Sequence, residues 1–129
     1  EHSSIKKRIV IHRTFRHRNI YINYNFLRNY EDPLFVGIKE EYDDLKKQVP
    51  NLEFYNPKNF LEIAEIIKAS KFFIGNQSVC YPIAEALKVP RLLEASPVTP
   101  LVQPVGKNGF DFYFQPHFEK LFKYLNDKY

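Results

Sequence analysis

Short apolar runs alternate along this chain with stretches in which apolar residues recur every three or four positions, the signature of strands alternating with amphipathic helices. Lys7 to Thr14 carries the β-branched run Ile9, Val10, Ile11 flanked by charge, and predicts a first strand. Asn19 to Tyr30, rich in Asn and Tyr without a clean period, reads as a loop or a short irregular helix. Pro33 to Ile38 predicts a second strand. The helix after it has Ile38, Tyr42, Leu45 and Val49 at helical spacing, acids early and lysines late to suit its dipole, and Pro50 as its stop. Asn51 to Asn56 predicts a third strand. Asn59 caps the following helix, with Glu62 as the reciprocal partner and Leu61, Ile63, Ala64, Ile66 and Ile67 as its apolar face. Lys71 to Gly75 predicts a fourth strand, leading into a helix that reaches Lys88 with Pro82 in its first turn, where a missing N–H is tolerated. Val89 to Ser96 and Phe110 to Phe114 predict two more strands, separated by the Pro-rich loop Pro97 to Gly109, and Phe118, Leu121, Phe122 and Leu125 mark a closing helix.

This alternation implies parallel βαβ units and hence a single α/β domain over residues 1–129: a Rossmann-like parallel sheet of about six strands with helices on both faces. Ligands bind such sheets at the carboxyl ends of the strands. The functional search therefore narrows to Arg13 to Asn19, Gly37 to Glu40, Tyr55 to Lys58, Gly75 to Ser78 and Glu94 to Thr99.

Composition adds exclusions. With 44% hydrophobic and 26% charged residues the chain is not a disordered tail. One Cys forms no internal disulfide, and the longest apolar runs fall far short of the roughly 20 residues a membrane span needs, so a reduced cytoplasmic protein without a transmembrane segment is expected. No secretory signal is evident, and Glu1 to Ser4 are expected to be an appended remnant. The net charge of +4 is concentrated at the start, where residues 1–18 hold six Lys or Arg against Glu1. That cluster suggests an anionic partner, although a solvated basic end would read the same way.

The strongest local feature is Gly75, Asn76, Gln77, Ser78 at a strand-to-helix junction. Small and amide side chains there, with free N–H groups at a helix start, suit a phosphate; an ordinary helix cap explains the same residues. Arg13, Arg16, His17 and Arg18 follow the first strand and so belong to the same sheet edge, where arginine can grip a diphosphate with its fork. Glu94 ends the fifth strand and is open to either a ribose or a structural role, while for Glu85 a surface or sheet-packing role competes with ribose binding. His2, His12, His17 and His117 are scattered and Cys80 is alone, so no metal site or cofactor is expected. His12 reads as packed in the sheet, Cys80 as a helix-face residue, and Glu40, Glu41, Asp43 and Asp44 as a solvated helix face. The phosphate-loop motif GxxxxGK[ST] and the dinucleotide fingerprint GxGxxG are absent, and a phosphoacceptor domain would need acids where this chain has arginines.

The segment KFFIGNQSVCYPIAEALKVPRLLEAS, residues 71–96, resembles the carboxyl-terminal lobe of GT-B glycosyltransferases and is most similar to the ADP-heptose lipopolysaccharide heptosyltransferase group. That group shows a strand, Asp-Thr-Gly, a helix ending Ala-Leu-Gly-Val-Pro, and another strand. Ala86, Leu87, Lys88, Val89 and Pro90 match the last part and Ser78 falls where the group has Thr; Gln77, Val79 and Lys88 replace its Asp and two Gly, and Pro82 stands where it often has His. RIVIHRTFRHRN, FVGIKEEY and FLEIAEIIKASKFFIGNQS fit the broader lobe pattern, so the coarse similarity spans most of the chain.

The resemblance implies a lobe that binds a nucleotide diphosphate sugar for transfer to a glycan or lipopolysaccharide-type acceptor. Ser78 with Asn76 and Gln77 would meet the diphosphate, Arg13 or Arg16 would neutralise it, and Glu94 would contact ribose or base. It also implies a partner, because a complete enzyme of this type has an amino-terminal lobe of similar size. These residues are then one lobe of such an enzyme, contacting that lobe or a second copy, or a single-lobe relative that binds without catalysis. The resemblance assigns no catalytic base. Nucleic-acid binding by the basic and aromatic stretch Lys6 to Tyr24 is not expected, since Ile9 to Ile11 read as buried and leave too short an exposed surface.

Overall fold

A computed structural model describes residues 8–78, 80–96 and 108–129. Six parallel strands form one sheet in the order β3-β2-β1-β4-β5-β6: β1 Ile9–His12, β2 Leu34–Val36, β3 Glu53–Tyr55, β4 Phe72–Asn76, β5 Arg91–Glu94 and β6 Gly109–Phe112. Four helices accompany them: α1 Lys39–Lys46, α2 Phe60–Lys68, α3 Cys80–Leu87 and α4 Gln115–Lys128. This is a Rossmann-like α/β fold. The expected Pro97 to Gly109 loop lies almost entirely outside the described residues, as do Glu1 to Lys7.

Alternation along each strand sends successive side chains to opposite faces, so the sheet has two cores. Ile9, Ile11, Phe72, Ile74 and Leu92 turn to the first face, covered by α1, α4 and the connection from β1 to β2. Val10, Phe73 and Leu93 turn to the second, covered by α2 and α3. The β1 to β2 connection holds only a 3-10 helix, Asn25–Asn29, and plugs the first core with Ile22, Tyr24 and Leu27. Four aromatic rings from this plug and from α4 interlock there, with Phe26 meeting Phe118 and Phe122 edge-on at 5.1 and 5.0 Å and Tyr30 meeting Phe122 at 4.8 Å.

Helix ends follow the chemistry of their residues. Asn59 Oδ1 accepts from the Glu62 N–H at 2.9 Å, the expected cap, and the Glu62 carboxylate accepts from the Lys58 N–H. Pro82 lies in the first turn of α3 as expected. Lys88, just beyond that helix, has φ of 55°, a left-handed conformation that glycine adopts most cheaply.

Candidate functional site

Arg13 directly follows β1 and has the same parity as Ile9 and Ile11, so its side chain lies on the first face. It crosses the end of β4 and meets Glu94, with Nε donating to Oε1 at 2.7 Å and Nη2 to Oε2 at 3.0 Å. The Tyr24 hydroxyl donates to Oε1 at 2.7 Å and the Asn19 N–H to Oε2 at 2.8 Å. Arg13 also donates to the carbonyls of Asn19 and Ile22, and its guanidinium lies 4.8 Å from the centre of the Tyr24 ring. Burial and the neighbouring Glu94 push the Tyr24 phenol well above its ordinary pKa, which keeps it a donor. Arg13 is 2% exposed and Glu94 is fully buried. Each is the other's buried counter-charge, and together they pin the β1 to β2 connection; of the ribose and structural roles that the sequence leaves open for Glu94, this geometry supplies the structural one.

Asn76, at the end of β4, is fully buried. Its Oδ1 accepts from the Thr14 N–H at 3.0 Å, and its Nδ2 donates to the carbonyls of Thr14 at 3.0 Å and Arg16 at 3.1 Å. The amide therefore clamps the loop after β1 onto the end of β4, and its part in any site is positioning. Gly75 has no unusual dihedral; a Cβ there would come within 2.6 Å of the Phe73 ring and 3.2 Å of the His12 carbonyl, so close packing inside the sheet is what requires glycine.

Above this clamp the loop turns at His17, whose φ is 58°. Arg16 at the turn is exposed, and its guanidinium has no partner among the described residues. Gln77 and Ser78 are half-buried, and the Ser78 hydroxyl is itself buried with no partner. Arg18 pairs with Asp44 at 2.7 Å and covers the Phe15 ring, leaving Nη2 buried and unpartnered. The structure thus gathers Arg16, Gln77 and Ser78 where the sheet order reverses between β1 and β4, and it withdraws Arg13, Asn76 and Glu94 into the scaffold beneath.

The acids of α1 divide. Glu40 and Asp43 are solvated as expected, but Glu41 is buried and accepts the Phe15 N–H at 3.2 Å, a tertiary bond to the β1 loop. His12 packs in the sheet, with Nδ1 at 2.7 Å from the Val36 carbonyl. Burial pushes the Cys80 thiol up to about 12, so it is a poor nucleophile at neutral pH. Glu85 pairs with Arg91 at 2.8 Å and with Lys88 at 2.7 Å. Sequence reasoning missed Tyr24, Asn19 and Thr14 as members of the network; strand parity, which lines up Arg13, Asn76 and Glu94, was the available signal for its centre.

No family model matches the chain, and no curated protein is significantly similar to it. Among the described residues no helix is long and apolar enough to cross a membrane, and no group of three or more His, Cys, Asp or Glu could hold a metal ion.

Proposed function

We propose that the chain is a donor-binding lobe of a GT-B-type glycosyltransferase, holding a nucleotide diphosphate sugar at the carboxyl edge between β1 and β4. The observation that carries this reading is the exposed Arg16, whose guanidinium has no partner among the described residues and whose backbone carbonyl the Asn76 amide ties to the end of β4, next to Gln77 and Ser78 in the chain. Arg16 supplies charge for a diphosphate, and the start of α3 supplies neutral donors. In glycosyl transfer those groups stabilise the negative charge that builds on the leaving diphosphate. Two further features support it: the strand order, and the left-handed backbone at Lys88, which falls where the resembled group has glycine.

The basic start of the chain gives little support to nucleic-acid binding. Arg8 pairs with Glu53, Arg13 with Glu94 and Arg18 with Asp44, so most of its described cations are already answered.

Calorimetric titration with a panel of nucleoside diphosphates and their sugars tests the reading. Saturable binding that weakens at least about tenfold in Arg16→Ala is expected, the scale of one charge-assisted contact. Absence of binding to every member, or equal affinity in Arg16→Ala, would overturn it.

A further inference from the structure

Phe15 stands on the loop after β1 beside the exposed Arg16, and is itself 51% exposed. A lone exposed phenylalanine is ordinary in a folded protein, but this one sits on a loop tied down from two sides. From β4, the Asn76 amide accepts from the Thr14 N–H and donates to the Thr14 and Arg16 carbonyls, and within the loop the Thr14 hydroxyl donates to the Arg16 carbonyl at 2.8 Å. From α1, Glu41 accepts the Phe15 N–H at 3.2 Å and Asp44 pairs with Arg18 at 2.7 Å. The Arg18 guanidinium in turn lies over the Phe15 ring, 5.0 Å from its centre, within the range of a cation–π contact. With one face of the ring covered in this way, an exposure of one half puts the other face in solvent. The ring also has only two side-chain torsions to fix on a backbone already held, so a contact made on that face costs little in ordering.

We propose that the free face of Phe15 stacks on the nucleobase of the ligand whose diphosphate Arg16 holds. The inference deepens the donor reading and rests on it. Consecutive Cα atoms are about 3.8 Å apart, so the side chains of Phe15 and Arg16 start within the reach of a single nucleotide. Arg16 answers the phosphates with charge, and Phe15 answers the base with area. Every base has a π-face, so such a platform strengthens nucleotide over bare phosphate while leaving the choice of base to other groups.

Calorimetric titration with inorganic pyrophosphate and with ADP, GDP and UDP, compared among the unaltered chain, Phe15→Ala, Phe15→Leu and Phe15→Tyr, provides the test. At least one nucleoside diphosphate is expected to bind more tightly than pyrophosphate. Phe15→Ala is expected to weaken that nucleotide about tenfold, the scale of one stacked base, and to leave pyrophosphate unchanged. Phe15→Tyr, which keeps a π-face, is expected to retain the affinity, and Phe15→Leu, apolar but without one, to lose it. In the complex of the unaltered chain, NMR is expected to show nuclear Overhauser contacts between the Phe15 ring protons and the protons of the base. Equal nucleotide affinity in Phe15→Ala would overturn the proposal, and the donor reading would still stand if Arg16→Ala weakened binding. Equal losses for pyrophosphate and nucleotide in Phe15→Ala would also overturn it, by showing that the ring only shapes the loop. Binding of none of these ligands to the unaltered chain would overturn the donor reading and this proposal with it.

Discussion

Glu94 receives four hydrogen bonds, two from Arg13 and one each from Tyr24 and the Asn19 backbone, so changing it disturbs three segments at once. Glu94→Gln keeps the shape and removes the charge, which leaves the buried Arg13 guanidinium without its counter-charge. The expected loss is about 3–5 kcal/mol, read as a lower urea midpoint, and a change below about 0.5 kcal/mol would show that Arg13 does not depend on the pair. His12 makes the opposite electrostatic case, a ring that folding holds neutral. Its pKa is lowered from 6.5, so below that pH the unfolded chain takes up a proton that the native ring resists. The stability it contributes is present above about pH 6.5 and declines as pH falls below it toward the folded pKa. His12→Gln is expected to flatten that part of the pH dependence in denaturation midpoints between about pH 7.5 and 5; identical profiles would contradict a neutral buried ring.

At the scale of elements, β4 shows how one small residue sets the packing of its neighbours. Gly75→Ala would drive a methyl into the Phe73 ring, which belongs to the second core. A loss of about 1–3 kcal/mol in thermal unfolding is expected, and an unchanged melting temperature would show that the ring has room to move. The elements themselves were legible because burial imposes periods of two and 3.6 on the sequence. Their ends were not: in the run predicted from Lys7 to Thr14 the strand stops at His12, because a strand extends only as far as its neighbours offer ladder partners. Leu61, placed by its spacing on the apolar face of α2, is 69% exposed beside Phe60 in the first turn, and only Ile66 and Ile67 of that helix are fully buried. Spacing gives the direction of a side chain around its helix and says nothing about how far the sheet reaches beneath it. The placement of Glu41 escaped for a related reason, since its partner is a backbone N–H brought in by the β1 loop.

At the scale of the whole molecule, the alternation of strands and helices made a parallel sheet readable, and the general rule for such sheets directs the search for a site to its carboxyl edge. Which edge residues stay free depends on reach across strands. Arg13 and Glu94 are 81 positions apart and meet only because β4 lies between their strands, a fact of strand order that local pattern does not carry. That meeting also bears on which sheets the sequence can form. Asn76 sits opposite Glu94 in register, and a slip of β5 by one residue would turn Glu94 to the other face and leave Arg13 buried without a counter-charge. Apolar residues alone would tolerate the shifted pairing far better. Arg13→Met combined with Glu94→Leu is therefore expected to fold with near-native stability, as buried pairs replaced by hydrocarbon often do, but with doubled or broadened amide signals in β4 and β5. A single sharp set of signals would show that alignment is enforced elsewhere. The ion pair then acts as a proofreading element for strand alignment, penalising misregistered sheets more than it strengthens the correct one.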